Sequence, residues 1–452
     1  MKLSRRSFFK ALGGTALSAQ LPLFSPFAHA GSTGDYKALV CIFLYGGNDA
    51  NNLIVPMDSG IYDQYLSIRG PLSAGGIGLD YNSLVPLSAG GTAHYGLHPD
   101  LAPLQGIWDA GDLAPVFNVG TLVAPLTKTQ YQNGTGPIPA SLLSHSDQQA
   151  QWQTAYAQGN ARSGWGGRIA DVIDAANGTS VLPTMMSFAG TDIYTLGNIE
   201  APLALSDSGA FQLNSFAGGY ADAVNSAVKS LLSASNSNLL MQGQQKILGN
   251  AIAATQLLNP ILTGSSAICD PLFSGLGTDI AQQLYQVAKV IENRAALGVQ
   301  RQVFYVSLGG FDTHTDLIGT QSRLFQQLAP ALRAFYDATT QLGVADSVTS
   351  FTMSDFGRTL EPASGAGSDH AWGSHHLVFG GAVKGQATYG QFPELTLGGP
   401  DDASDEGRWL PSTSVDQYAA TLASWFGVSG GDLATVLPNI GNFSTKNLGF
   451  MG

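Results

Sequence analysis

The chain has 452 residues, with 20 basic against 32 acidic side chains, 12 % charged residues in all, and 56 glycines. The formal charge of −12 argues against a nucleic-acid partner, because that affinity comes from cations that neutralise phosphates; it also disfavours acidic membrane surfaces. Few charges with abundant glycine describe a compact, loop-rich globular protein rather than a disordered one.

Residues 1–30 read as a leader. Ser4-Arg5-Arg6-Ser7-Phe8-Phe9-Lys10 is a charged start, the stretch to Phe27 is mildly apolar but broken by Gly and Pro, and Ala28-His29-Ala30 is a small-x-small cleavage site before Gly31. The Arg5-Arg6 pair resembles a twin-arginine signal, the address of proteins exported already folded. Passage through the twin-arginine translocase and a periplasmic or secreted location are therefore expected. The leader holds four of the 20 basic residues and none of the 32 acidic ones, so its removal leaves a charge of −16. No later stretch offers enough uninterrupted apolar residues to span a bilayer, and the mature protein is expected to be soluble.

Lys37–Tyr45 is a near-continuous apolar run stopped by Gly46-Gly47, the pattern of a strand buried on both faces. A polar turn follows, Asn48-Asp49-Ala50-Asn51-Asn52, and then the apolar run Leu53–Val55. Residues 70–93 are rich in Gly and Ser and read as a surface insertion. Pro99–Ala110 has helical spacing ended by Gly111, and Leu113–Val119 reads as the next strand. Residues 129–141 read as a loop, a helix starts near Ser146 and carries Trp152, and Trp165–Ala176 is another. A helical insertion is expected over about 218–297, broken by the Pro/Gly/Ser segment 259–277. Alternation then resumes, with strands at Val303–Leu308 and Val348–Met353 around a helix at Leu324–Leu342 carrying a kink at Pro330. A Gly-rich loop 364–374, the run Leu377–Phe379 and a helix over Val415–Phe426 complete the chain. Strands and helices in this order predict a three-layer α/β/α sandwich around a mostly parallel sheet, one domain over 31–452. Only Cys41 and Cys269 are present; Cys41, inside an apolar run, reads as a buried structural thiol, with a disulfide to Cys269 as the alternative that an oxidising periplasm permits.

In such sheets functional groups stand just past the carboxyl ends of the strands, and Asp49, Asp312 and Asp355 all do. Of the eight histidines, four cluster with acids between 312 and 376: His314, His370, His375 and His376. Imidazole beside carboxylate is the donor set of a divalent metal site. In Gly309-Gly310-Phe311-Asp312-Thr313-His314, an extended backbone sends Asp312 and His314 to one side, where both can grip one ion; the competing reading is a helix-capping turn. Adjacent His375 and His376 point apart in a strand, so one of them ligates and the other packs. Arg358 either clamps an anionic substrate or pairs with Asp355. Ser144-His145-Ser146-Asp147 opens a helix; Ser144 is either its cap, in a capping-box-like pattern, or a nucleophile held at the positive helix end. His94 and His98 read as structural.

Several of these segments together resemble one family of exported bacterial proteins, that of domain of unknown function 1501. They are the leader, Leu44-Tyr45-Gly46-Gly47-Asn48-Asp49-Ala50-Asn51-Asn52, Leu97-His98-Pro99, Gly309 to His314, Ser354 to Thr359, and Asp369-His370-Ala371-Trp372-Gly373-Ser374-His375-His376. The likeness covers essentially the whole mature chain. That family is considered a branch of the alkaline phosphatase and sulfatase superfamily, so the resemblance implies an exported hydrolase of phosphate or sulfate esters, taking small-molecule or glycan esters. It implies a divalent metal, zinc, manganese or calcium, on Asp49, Asp312, His314, Asp355 and one of His370, His375 and His376, with Ser144 as nucleophile. Phe356 stands where the superfamily places a ligating His, which leaves one-metal chemistry open. No Cys-x-Pro-x-Arg segment is present, so no formylglycine nucleophile is expected. The rival expectation is a secreted metal-binding or assembly protein that kept the fold without turnover.

Overall fold

The computed structural model describes residues 36–159, 161–207, 221–235 and 237–452. The expected leader and residues 218–220 and 236 of the expected helical insertion lie outside the described residues. The strands are β1 (Lys37–Tyr45), β2 (Ile54–Pro56), β3 (Val85–Ala89), β4 (Thr92–Leu97), β5 (Leu113–Gly120), β6 (Met185–Ser187), β7 (Leu203–Ala204), β8 (Arg301–Gly309), β9 (Val348–Ser354), β10 (Ser374–Phe379), β11 (Tyr389–Gly390) and β12 (Thr413–Ser414). The main sheet runs β11-β5-β10-β9-β1-β8-β6-β7, with β12 paired to β5, and β2-β4-β3 form a small separate sheet.

Pairing is parallel from β9 through β1, β8 and β6 to β7, while β10 is antiparallel to both β9 and β5. The sheet is therefore mostly parallel. Both its faces are covered, and β1 shows why its sequence is apolar throughout. Ala38, Val40, Ile42 and Leu44 enter one core, and Leu39, Cys41 and Phe43 enter the other. The first core includes residues of the helices Leu239–Thr263, Asp279–Glu292 and Leu317–Gln341; the second includes residues of Trp165–Ile173 and Val415–Phe426. This is a three-layer α/β/α sandwich. Cys41 and Cys269 are both buried and free. Among the described residues no helix is long and apolar enough to cross a membrane.

Register sets the site. Tyr45 pairs with Gly309 and Leu44 with Ser354, so the carboxyl ends of β1, β8 and β9 stand level. Because β10 runs the other way, its amino end, and with it the loop carrying His370, reaches the same edge.

Three local expectations differ from the structure. Residues 70–93, expected as an irregular insertion, contribute β3 and the start of β4. Pro99–Ala110 is a 3-10 turn, Pro99–Leu104, before a short α-helix, Gln105–Asp109; Pro103 has no N–H to give an α-helical ladder. Residues 129–141 are not all loop, since Lys128–Gln132 is a helical turn closed by a capping box between Thr127 and Gln130.

Candidate metal centre

Three imidazoles meet one carboxylate beyond the sheet edge. Asp312 Oδ1 lies 3.1 Å from His314 Nε2 and 3.4 Å from His370 Nε2, and its Oδ2 lies 3.4 Å from His145 Nε2. His314 Nε2 and His370 Nε2 are themselves 2.9 Å apart. His145, Asp312 and His370 each offer a ligand atom within 4.8 Å of the others, a spacing that one metal ion can bridge.

Each imidazole is oriented from behind through its other nitrogen. His145 Nδ1 meets Asp355 Oδ2 at 2.7 Å, His314 Nδ1 meets Asp369 Oδ1 at 2.9 Å, and His370 Nδ1 meets the Leu143 carbonyl at 2.8 Å. With an acceptor at every Nδ1, each ring is held so that Nε2 faces Asp312, the arrangement that supports metal-binding histidines. His145 Nε2 is buried and makes no hydrogen bond, a costly state for a polar atom unless something else occupies it. Burial and the neighbouring charges of Arg358 and His145 hold His370 below the usual imidazole range, against the opposing pull of the Leu143 carbonyl and Asp312. It is therefore neutral, the form that ligates. Burial pushes the Asp312 carboxyl up, but the hydrogen bond and charge of Arg358 together with His145 and His314 outweigh it, and the group stays below the ordinary carboxylate range.

The frame around these groups depends on two glycines. Gly46 and Gly47 have φ of 114° and 79°. A Cβ on Gly46 would stand 2.4 Å from the Asp312 amide nitrogen, and one on Gly47 2.4 Å from the Phe356 ring. Phe356 is the apolar floor of the cluster, its ring 4.8 Å from His145 and 4.6 Å from His370.

Asp355 and Arg358 support the cluster from beneath. Asp355 is fully buried and accepts from the Gly46 amide at 3.0 Å and from Gln149 Nε2 at 2.8 Å, besides His145. Its place is behind His145, with the ring between it and Asp312. Arg358 is fully buried too, and all three guanidinium nitrogens are committed. Nε donates to the Gly47 carbonyl at 2.9 Å, Nη1 to Ser368 O at 2.9 Å, and Nη2 to Gly46 O at 2.7 Å and to Asp312. It pairs with Asp312 and not with Asp355, and it has no free fork to offer an anion.

Asp49, His375 and His376 are not brought into the cluster. Asp49 is buried, caps the helix Ala50–Leu53 and is held 2.6 Å from Arg69 Nη2, so its charge is already neutralised. His375 and His376 lie within β10 and point to opposite faces: His375 packs on Phe117 and Phe392, His376 on Trp152 and Tyr418. Burial drives both rings down to about 3. Ser144 is the N-cap residue of the helix His145–Thr154, but its side chain makes no capping bond; Oγ donates to Asp147 Oδ2 at 2.6 Å. The chain just before it is bent through Ser141 and Leu143 at φ 48° and 69°, conformations that cost energy for residues with a Cβ.

His145 is the residue that the sequence reading passed over. A signal for it exists. His145, Gln149 and Gln153 recur at i, i+4 and i+8, one face of a helix, and each makes a polar contact: with Asp355 and Asp312, with Asp355, and with the Tyr45 hydroxyl at 3.3 Å.

The fold and the cluster define an α/β/α protein with a histidine-rich candidate metal centre at the carboxyl edge of its sheet. The chain belongs to the family described as Protein of unknown function (DUF1501), whose model matches residues 36–403. No curated protein matches it. Among solved structures, it is similar to a protein in the alkaline phosphatase superfamily from Vibrio parahaemolyticus, with 12% identity, TM-score 0.33, and 90% of this chain and 71% of that one covered. It is also similar to the zinc complex of the C-terminal periplasmic domain of EcEptC from Escherichia coli, with 10% identity, TM-score 0.33, and coverage of 91% and 87%. A third is the PsFucS1 sulfatase from Pseudoalteromonas sp., with 12% identity, TM-score 0.32, and coverage of 86% and 72%.

Proposed function

We propose that the protein is an exported metal-dependent hydrolase of phosphate or sulfate esters, working at a one-metal centre built by His145, His314, His370 and Asp312. The observation that carries this reading is the convergence of three Nε2 atoms on one carboxylate, each ring fixed from behind through Nδ1. Three nitrogens and a carboxylate suit zinc or manganese, whereas calcium takes oxygen donors, so calcium fits this set poorly. A second ion finds little to hold it: Asp49 is paired with Arg69, and Phe356 presents carbon where a ligand would be needed.

The metal, when bound, polarises the ester oxygens and offsets the charge that develops on them. Ser144 is the nucleophile in this reading. Its oxygen forms the new bond to phosphorus or sulfur as the P–O or S–O bond to the alcohol breaks, its proton passes to the Asp147 carboxylate to which it already donates, and the departing alkoxide takes a proton from solvent; water then attacks the phosphorus or sulfur, releasing phosphate or sulfate and restoring the Ser144 hydroxyl, while Asp147 returns its proton to solvent. The position of Ser144 at the amino end of a ten-residue helix favours negative charge on that oxygen. Arg358 holds Asp312 in place rather than touching substrate. The substrates are small-molecule or glycan esters in the periplasm or outside the cell, reached through the twin-arginine translocase.

The test combines metal analysis with turnover on protein exported by its native route. Wild type is expected to carry about one zinc or manganese per chain and to hydrolyse an aryl phosphate or aryl sulfate; His145→Ala is expected to lose both. Ser144→Ala should keep the metal and lose turnover. A metal-free wild type would end the proposal. Phe356 and the sealed Asp49 favour a second reading, a secreted metal-binding protein without turnover. Metal retained in wild type with neither ester hydrolysed would select it.

A further inference from the structure

Arg358 and Arg408 touch the candidate centre, and each already has a carboxylate for a counter-ion. Arg358 is fully buried, its guanidinium held by Asp312 and by the Gly46, Gly47 and Ser368 carbonyls. Arg408 donates from Nε to the His370 carbonyl at 2.8 Å and holds Glu406 Oε2 through Nη2 at 2.6 Å.

Carboxylates outnumber these cations. Asp312 stands among the three imidazoles, Asp355 and Asp369 lie behind His145 and His314, and Asp147 accepts from Ser144 Oγ at 2.6 Å. Ser146 Oγ also approaches Asp147, at 3.5 Å, so the groups that meet this carboxylate are hydroxyls and carry no charge. An imidazole that gives its lone pair to an ion stays neutral. With a divalent ion in place, the ion and Arg358 together still fall one charge short of the carboxylates Asp147, Asp312, Asp355 and Asp369, while Arg408 cancels Glu406.

This balance treats esters differently. A sulfate monoester or a phosphodiester carries one negative charge, whereas a phosphate monoester, with a second pKa of about 6, carries nearly two at about pH 8. A reacting phosphorus or sulfur stands about 3–3.5 Å from its nucleophile before the bond forms, which puts it within roughly 6 Å of the Asp147 oxygen that Ser144 donates to. At an effective dielectric of about 20, one further like charge at roughly 6 Å lowers an affinity roughly a hundredfold. Asp147 is partly exposed, and screening by water and salt brings the effect to about tenfold. The carboxylate beside Ser144 is thus a repulsive element, the kind of feature by which a site rejects one ligand and keeps another.

We infer that the site selects monoanionic esters, a sulfate monoester or a phosphodiester, and turns away phosphate monoesters, with Asp147 as the specificity-determining residue; this rests on the hydrolase function proposed above. The experiment is calorimetric binding of three inert ligands to the metal-loaded wild-type protein at about pH 8: phenylphosphonate, largely a dianion there, and two monoanions, its monomethyl ester and phenylsulfonate. The monoanions should bind about tenfold more tightly than the dianion. Asp147→Asn, at unchanged metal content and melting temperature, should close most of that gap. In a parallel assay, faster turnover of an aryl sulfate or of a methyl aryl phosphodiester than of an aryl phosphate supports the inference, and the faster of those two names the ester used. Phenylphosphonate bound as tightly as the monoanions, or a gap that Asp147→Asn leaves unchanged, would overturn the inference, while turnover of any of the three esters would leave the hydrolase function standing. A metal-loaded protein that turns over none of the three would instead end the hydrolase function, and the inference with it.

Discussion

Asp355 illustrates how a carboxylate can matter to a candidate metal centre from behind it. Its oxygens are taken by the Gly46 amide, Gln149 and His145, so it fixes the tautomer and angle of His145. Asp355→Asn keeps the size of the side chain and removes the acceptor that demands a proton on Nδ1. Metal affinity is expected to fall about 10- to 100-fold, measured by competition with a chelator, while the fold survives. An unchanged affinity would mean that His145 needs no such support. The same residue shows what local sequence hides. An Asp at a strand tip reads as a ligand whether it faces the ion or backs a histidine 210 positions away, and no spacing rule separates the two. Asp49 was opaque for a similar reason, because its counter-ion Arg69 comes from a different helix. Asp312, His314 and His370 were legible because Gly309-Gly310 and the 364–374 loop mark strand ends in a chain with few histidines.

At the level of elements, legibility followed the strength of the boundaries. Both ends of Lys37–Tyr45 and of Val415–Phe426 are readable, the first because an apolar run meets two glycines, the second because apolar spacing begins abruptly after Ser414 and stops at Gly427. The small sheet was not, since β3 and β4 are short, half-exposed and interrupted by Gly90-Gly91. The turn after β1 carries its own prediction. Gly47→Ala must place a Cβ in the left-handed region and against the Phe356 ring. Backbone strain of about 1–3 kcal/mol is expected from the first effect alone, and the second shifts the floor beneath His145 and His370. A lower melting temperature accompanied by weaker metal binding is the expected result. If the melting point falls and metal binding does not, the floor and the ligands are independent.

For the whole molecule, buried titratable groups set the response to acid. Burial lowers His98 to about 4 and His375 and His376 to about 3, from an ordinary 6.5. The unfolded chain takes up these three protons first as pH falls below 6.5, so stability is lost from there down to the folded values. Asp416 works in the opposite sense. Burial raises its carboxyl from 3.8 to about 8, so the folded state holds a proton that the unfolded state releases, and stability declines as pH rises through that window. Between about pH 4 and 6.5 the three histidines outweigh Asp416, so the unfolded state binds more protons and stability falls as the pH falls. Urea midpoints should therefore peak near pH 6.5, drop steeply towards pH 4.5 and ease off gently towards pH 8. A midpoint that is flat between pH 4.5 and 6.5 would mean that these histidines are hydrated.

The four side chains that meet around Asp312 come from positions 145, 312, 314 and 370, on segments that meet only once β1, β8, β9 and β10 are aligned. No fragment of the chain emerging from the ribosome can assemble them, because His370 arrives late in synthesis and its loop is positioned by strands made much earlier. Under the proposed one-metal reading, loading would have a fixed place in the life of the molecule. It would follow translation and completed folding, and a metal-replete protein would be one whose sheet has closed.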